Sequence, residues 1–177
     1  DLFVLLFLLR GMPFVDLAFL RRCDLQGNVI TYHRRKTSRK LTVVVGKEAM
    51  EIIQKYMYAI PDSPYLFPII QNPGKDEYGQ YARMLRLQNY RLTQVANILG
   101  IRDRLSTYTA RHTWATTALR QNYNSSLICD AMGHSSVKVT ETYFQPYRDD
   151  EVNRMNSSLI TYILSKKKRG TDKKIRS

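Results

Sequence analysis

The stretch GHSSVKVTETYF, residues 133–144, holds His134 and, nine residues on, Tyr143; upstream, STYTARHTWATTAL at 106–119 carries Arg111-His112-Thr113. A third segment, RRKTSRK at 34–40, is almost wholly basic. A tyrosine on a helix is ordinarily a packing residue, and a lone arginine a solvated charge. Together they are also the types that attack and hold phosphorus: a phenol oxygen can be a nucleophile, and a guanidinium donates two parallel hydrogen bonds to an oxyanion while remaining charged. Spacing alone leaves both readings open.

The chain's balance favours an anionic partner. Of its 177 residues, 28 are Lys or Arg and 15 Asp or Glu, a formal charge of +13. The tail SKKKRGTDKKIRS, residues 165–177, contributes seven bases and one acid, so the remainder is also basic. Such an excess steers phosphate-bearing partners to the surface and says nothing of fold. Nucleic acid is the leading expectation, with an anionic membrane surface or simple solubility behind it. Cys23 and Cys129 stand far apart with no C-x-x-C, which suits a reducing compartment and two buried thiols. The opening run LFVLLFLL is too short to span a bilayer and lacks a basic leader. A cytoplasmic, DNA-associated protein is therefore expected, and the uncapped start points to the C-terminal part of a longer one.

The elements that must position these groups follow from periodicity and punctuation. Residues 2–9 read as a buried helix, and Gly11 and Pro13 separate it from a short helix over PFVDLAFLRR. Gly27-Asn28 precedes a strand, VITYH, and the basic turn joins it to a second, LTVVV. Helices are expected over 47–59, over 77–99 with one possible break and Gly100 as stop, and from an N-cap at Thr107 to about Gln121. Ser125 or Ser126 opens another that ends at Gly133, and Ser135 or Ser136 one that ends before Pro146. A last helix over 149–164 carries a stripe, Val152, Met155, Leu159 and Ile163, that should be buried. One domain over 1–164 is expected, with residues 165–177 a disordered tail.

In combination, the three segments resemble the catalytic domain of tyrosine recombinases, the phage integrase family of DNA strand-exchange enzymes. Arg111-His112-Thr113 matches the family's R-H-T, Met132-Gly133-His134 its L-G-H, and Tyr143 the nucleophile nine residues beyond that histidine. GMPFVDLAFL and YHRRKT look most like integrases of Bacteroidetes mobile elements. The resemblance covers essentially the whole chain and implies a mainly α fold with a small antiparallel sheet or hairpin. It implies that Tyr143 attacks a DNA phosphate to form a 3′-phosphotyrosyl link, that Arg111 clamps the phosphate and that His134 donates to it. Lys36, in the hairpin turn, would protonate the leaving 5′ oxygen. Arg34, Arg35, Arg39, Lys40 and Lys138 would touch the DNA backbone, and His112 would support the site or merely pack. No cofactor or metal is implied. Double-stranded DNA is the expected partner, bound by a homotetramer on paired sites with a C-terminal segment possibly exchanged between subunits.

Two positions depart from the family pattern. Tyr108 stands where the family usually has the histidine of H-x-x-R, and Pro13 falls where its first arginine is expected, with Asp16 at the acidic position. Arg10, about one helical turn away, is the candidate replacement, and Tyr108 is retained as a site residue. These departures leave room for a catalytically impaired DNA-binding module; a type IB topoisomerase is the other alternative.

Overall fold

The computed structural model describes residues 1–57, 59–143, 150 and 153–162. The chain divides into two units, Asp1–Phe144 and Gln145–Ser177. The first is mainly helical with one three-stranded antiparallel sheet in the order β1-β2-β3, as the sequence led us to expect.

Helix α1 (Leu2–Leu8) presents Leu5 and Leu6 to the interior, and Leu9 follows them inward. It ends in two consecutive left-handed residues, Arg10 at φ 59° and Gly11 at φ 65°, which reverse the chain and let the amide of Met12 donate to Leu6 O. Helix α2 is shorter than expected, Phe14–Ala18: the Phe19 amide closes onto Leu17 O and Val15 O, and Leu20, itself buried, already accepts from the Leu66 amide. It contributes a buried acid, Asp16.

Strands β1 (Leu25–Gln26) and β2 (Val29–His33) form a hairpin around Gly27-Asn28, and β3 (Lys40–Val44) completes the sheet. The sequence reading missed β1, since two residues carry no period. Alternation sorts the faces of the other two: the cross-strand pairs Ile30–Val43 and Tyr32–Leu41 point inward, while Thr31 and Thr42 pair on the outer face. Ile30 and Val43 join Leu5, Leu17, Ile53, Leu66 and Phe67 in the principal core.

Helix α3 (Lys47–Tyr56) lies against α1, and α4 (Glu77–Ile98) runs unbroken for 22 residues before Gly100. Helix α5 (Thr107–Arg120) is capped by Ser106, one residue earlier than expected, in a reciprocal box with Thr109. Helices α6 (Ser125–Met132) and α7 (Val137–Glu141) flank Gly133, which takes φ 64°. Cys129 is buried as expected, but Cys23 is exposed because it sits in a surface 3-10 turn. Among the described residues no helix is long and apolar enough to cross a membrane.

In the second unit, residues 153–162 are helical, and Arg154 pairs with Asp150 one turn back. The stripe departs from expectation: Met155 and Leu159 are 58% and 53% exposed, because a stripe shows that a face is apolar without supplying its cover. Val152, Ile163 and the basic tail lie outside the described residues.

Gly133 and Gly27 separate backbone freedom from packing. Both have positive φ, but a Cβ on Gly133 would sit 2.7 Å from Arg34 Cδ and 2.9 Å from Leu41 Cδ1, whereas one on Gly27 meets nothing within 4 Å. Gly27→Ala is expected to cost about 1–2 kcal/mol in denaturant unfolding for the left-handed backbone. Gly133→Ala should cost that plus about 1–3 kcal/mol for overpacking; equal losses would contradict the close approach.

Candidate active site

The site forms where α5, the β2–β3 turn and the α6–α7 corner meet. Positions 111 and 112 each lie about one helical turn from 108, so Arg111 and His112 both neighbour Tyr108 at the start of α5. Arg111 is 4% exposed. It donates from Nη1 to Gly11 O at 2.7 Å and from Nη2 to Met132 O at 2.9 Å. Gly11 is there because nothing larger fits: an added Cβ would lie 3.0 Å from Arg111 Cα. Burial and the neighbouring Arg34 charge both lower the Arg111 pKa from its usual value, an electrostatic cost that an arriving anion would relieve.

The hairpin turn reaches the same place. Ser38, at φ 54°, donates from its amide to Arg34 O and closes the turn. Arg34 then folds inward, donating from Nε to Asp16 Oδ2 at 3.2 Å and from Nη1 to Met132 O at 2.7 Å. Thr37 Oγ1 and Arg39 Nη1 donate to Gly133 O and His134 O. Three successive carbonyls of the α6–α7 corner therefore accept from the hairpin. Gly133 makes this possible by ending α6 left-handed, with the His134 amide returned to Cys129 O.

Tyr143 lies in a second apolar cluster with Ala115, Ile128 and Met132 and is 7% exposed. Its ring is stacked on His134 at 6.1 Å and tilted against His112 at 5.2 Å. Its hydroxyl is 2.9 Å from that of Tyr108. Burial, followed by the hydrogen bond and charge of Tyr108, pushes the Tyr143 phenol up to about 12; Arg111 acts in the opposite sense. At neutral pH the phenol is protonated, and deprotonation requires additional positive charge or a proton acceptor.

His134 is buried, and its Nδ1 lies 2.8 Å from Thr140 Oγ1. Burial, then Arg111, Arg34 and Lys36, depress its pKa to about 4, so the ring is neutral at pH 7. Thr140 is wholly buried and its hydroxyl has no other hydrogen bond among the described residues. If Nδ1 carried the proton, that hydroxyl would be left with a buried, unmatched donor; donation from Thr140 to Nδ1 avoids this cost. The proton then sits on Nε2, where it can be given to an oxyanion.

The remaining candidates divide. Lys36 is exposed on the turn and close enough for its charge to bear on His134. Lys40 and Lys138 are exposed. Arg35 stacks over the Phe19 ring at 3.8 Å, and Arg39 pairs with Asp130. Arg34 differs from the surface contact expected of it: at 6% exposure it is part of the interior. Arg10 donates to Thr42 O at 3.2 Å and lines a cavity of about 670 Å³ with Phe7, Trp114 and Leu127; no hydrogen bond joins it to Arg111, His134 or Tyr143. Sequence reasoning passed over Thr140, and the signal available was its position six residues after His134 on the next short helix.

Comparison with known proteins follows the same lines. The model of the phage integrase family matches residues 2–149. A tyrosine recombinase XerC of Thermodesulfovibrio yellowstonii is 25% identical over 135 residues, covering 70% of this chain and 42% of the relative. A tyrosine recombinase of Pseudothermotoga lettingae is 32% identical over 60 residues, 34% of this chain and 21% of the relative. The chain thus spans less than half the length of these curated relatives. Among solved structures, the XerA recombinase superposes with a TM-score of 0.63 at 21% identity, covering 88% of this chain and 56% of the other. The Tn1549 transposon integrase in complex with transposon right end DNA gives 0.67 at 14% identity, covering 90% and 58%. At these identities the likeness establishes the fold.

The state of His134 can be read directly. Its imidazole is expected to remain neutral down to about pH 4, with the Nε2–H tautomer in nitrogen NMR. An unfolded histidine takes up its proton near 6.5, so this group makes the fold lose stability as pH falls from about 6.5 towards 4. Thr140→Val should cost about 1–3 kcal/mol and disturb the tautomer, with Thr140→Ser restoring both. A protonated Nδ1 in the wild type would contradict the assignment.

Proposed function

The chain belongs to the phage integrase family, and from that membership and the geometry above we propose that it cleaves and rejoins duplex DNA as the catalytic part of a site-specific recombinase. The observation that carries the proposal is the meeting of Tyr143, Arg111 and His134, drawn from three separate elements, around one buried, cationic corner.

Tyr143 Oη forms a bond to the scissile phosphorus and the P–O5′ bond breaks, leaving a 3′-phosphotyrosyl link. Arg111 and the Nε2–H of His134 bind the nonbridging oxygens as their charge grows. Lys36 supplies the proton to the departing 5′ oxygen. The phenol proton leaves through the Tyr108 hydroxyl, which touches Tyr143 and belongs to a side chain 61% exposed, open to water. This relay suits a position where a histidine would otherwise accept the proton. Rejoining reverses the steps with a 5′ hydroxyl as nucleophile, so the phosphodiester energy is kept in the covalent link.

The exposed basic turn, with Lys36, Arg39 and Lys40, supports a contact to the DNA backbone on this side. We place the protein among integrases of bacterial mobile elements, acting in the cytoplasm as a tetramer on two paired sites. The exposed apolar face at Met155, Leu159 and Ile160 suits a segment given to a neighbouring subunit.

The test uses full-length protein and nicked suicide duplexes tiled across the DNA that flanks its gene. One duplex is expected to yield a covalent protein–DNA adduct, mapped by mass spectrometry to Tyr143 and absent in Tyr143→Phe. Strand exchange between two such duplexes distinguishes recombination from topoisomerase action. Tight binding with no adduct on any duplex would overturn the proposal in favour of a DNA-binding module. Lys36→Ala should cleave about 10²–10⁴-fold more slowly and recover when sulfur replaces the 5′ bridging oxygen, since a thiolate departs without a proton. Failure to recover would remove Lys36 as the acid.

A further inference from the structure

Arg34 lies beyond the roles given so far, and its surroundings are those of a phosphate ligand. The region it shares with Arg111 contains two buried guanidinium groups, one buried carboxylate, Asp16, and a neutral imidazole. Among the described residues that leaves one positive charge without an acidic partner, offset by the carbonyl dipoles of Gly11, Met132 and Gly133. Charges buried without a partner cost several kcal/mol, so a fold that keeps this one is arranged for an anion.

The two guanidinium groups converge on a single atom. Arg34 Nη1 and Arg111 Nη2 donate to Met132 O at 2.7 and 2.9 Å. An oxygen already solvated by two arginines marks where a phosphate oxygen would be held. Asp16 fixes the Arg34 side chain through Nε, and the Arg35 amide in turn donates to Asp16 Oδ1 at 3.0 Å. Arg34 Nη2 makes no hydrogen bond among the described residues, and it is not among the buried polar atoms sealed without a partner.

We propose that Arg34, drawn from the hairpin turn, supplies the second guanidinium that holds the scissile phosphate together with Arg111, and that Arg10 does not. This rests on the recombinase reading above and assigns one of its groups. The charges that depress His134 agree with the geometry: they are Arg111, Arg34 and Lys36. Arg10 is spent on Thr42 O and borders the apolar cavity by Trp114. Arg34 then has a double role, clasping the hairpin to the α6–α7 corner when DNA is absent and turning to the phosphate when DNA arrives.

The experiment compares Arg34→Ala, Arg34→Gln and Arg10→Ala in the full-length protein on the suicide duplex that traps the wild type. Each duplex carries either the normal scissile phosphate or a methylphosphonate, in which one charged nonbridging oxygen is replaced by a methyl. Arg34→Gln keeps an amide donor for Met132 O while losing the charge, so it serves if the alanine variant fails to fold. We expect both Arg34 variants to cleave the phosphate at least 100-fold more slowly and to regain at least tenfold of that loss on the methylphosphonate. Arg10→Ala should lose less than tenfold and regain nothing. Equal losses of Arg34→Gln on both substrates, in a protein that still melts cooperatively, would mean a structural clasp only and overturn the inference. So would recovery by Arg10→Ala in place of Arg34. A wild type that forms no adduct anywhere brings down the recombinase reading itself, which separates the two failures.

Discussion

A single backbone oxygen, that of Met132, organises the site. Two arginines far apart in sequence, one on a hairpin and one on a helix, donate to it. Neither guanidinium could be buried without such an acceptor, because the desolvation cost of an unpaired charge exceeds what packing returns. The left-handed Gly133 sets the direction of that carbonyl and its successors, and the left-handed pair Arg10 and Gly11 sets the other acceptor of Arg111. Glycine is required at 11 and 133 for two reasons at once, the sign of φ and the absence of room for a Cβ beside an arginine.

The same constraint bears on the resting condition of Tyr143. Arg111 lowers the phenol's pKa through its charge and a hydrogen bond, but burial together with Tyr108 outweighs it and keeps Tyr143 protonated. A DNA phosphate that takes the place of Met132 O as acceptor would free the arginines to face the reacting oxygens. Activation is then an exchange of hydrogen-bond partners by groups already positioned, which costs little reorganisation. In the proposed reaction His134 acts as a neutral donor, held in one tautomer by Thr140, so that role does not depend on protonation near neutral pH.

Much of this was legible in the sequence, and what escaped did so for physical reasons. The helices announced themselves by apolar period and by Gly100 and Gly133 as stops, and the hairpin by its strands and basic turn. The two-residue strand β1 is too short to carry a period. Tyr143, Arg111 and His134 were singled out by their spacing within a resemblance, and the fold brings them together. Arg34 was read as one more cation in a basic turn, because sequence does not disclose which of five neighbouring bases folds inward; Asp16, eighteen positions away, makes that choice. Arg10 was favoured for its distance along the chain, yet its left-handed backbone directs it to the sheet. The helical stripe at Met155 and Leu159 was read correctly as apolar, yet both residues are exposed in the single chain, since periodicity identifies a face and not the surface that meets it.

The central claim is that a backbone phosphate displaces Met132 O from the arginine pair and is attacked there by Tyr143. A crystal structure of the full-length protein with orthovanadate and a duplex broken at the cleavage position reads this directly. The account predicts vanadium bonded to Tyr143 Oη, with nitrogens of Arg111 and Arg34 about 3 Å from its nonbridging oxygens and Met132 O released by at least one of them. Vanadate bound elsewhere, with both arginines still on Met132 O and the Tyr143 hydroxyl still against Tyr108, would contradict it.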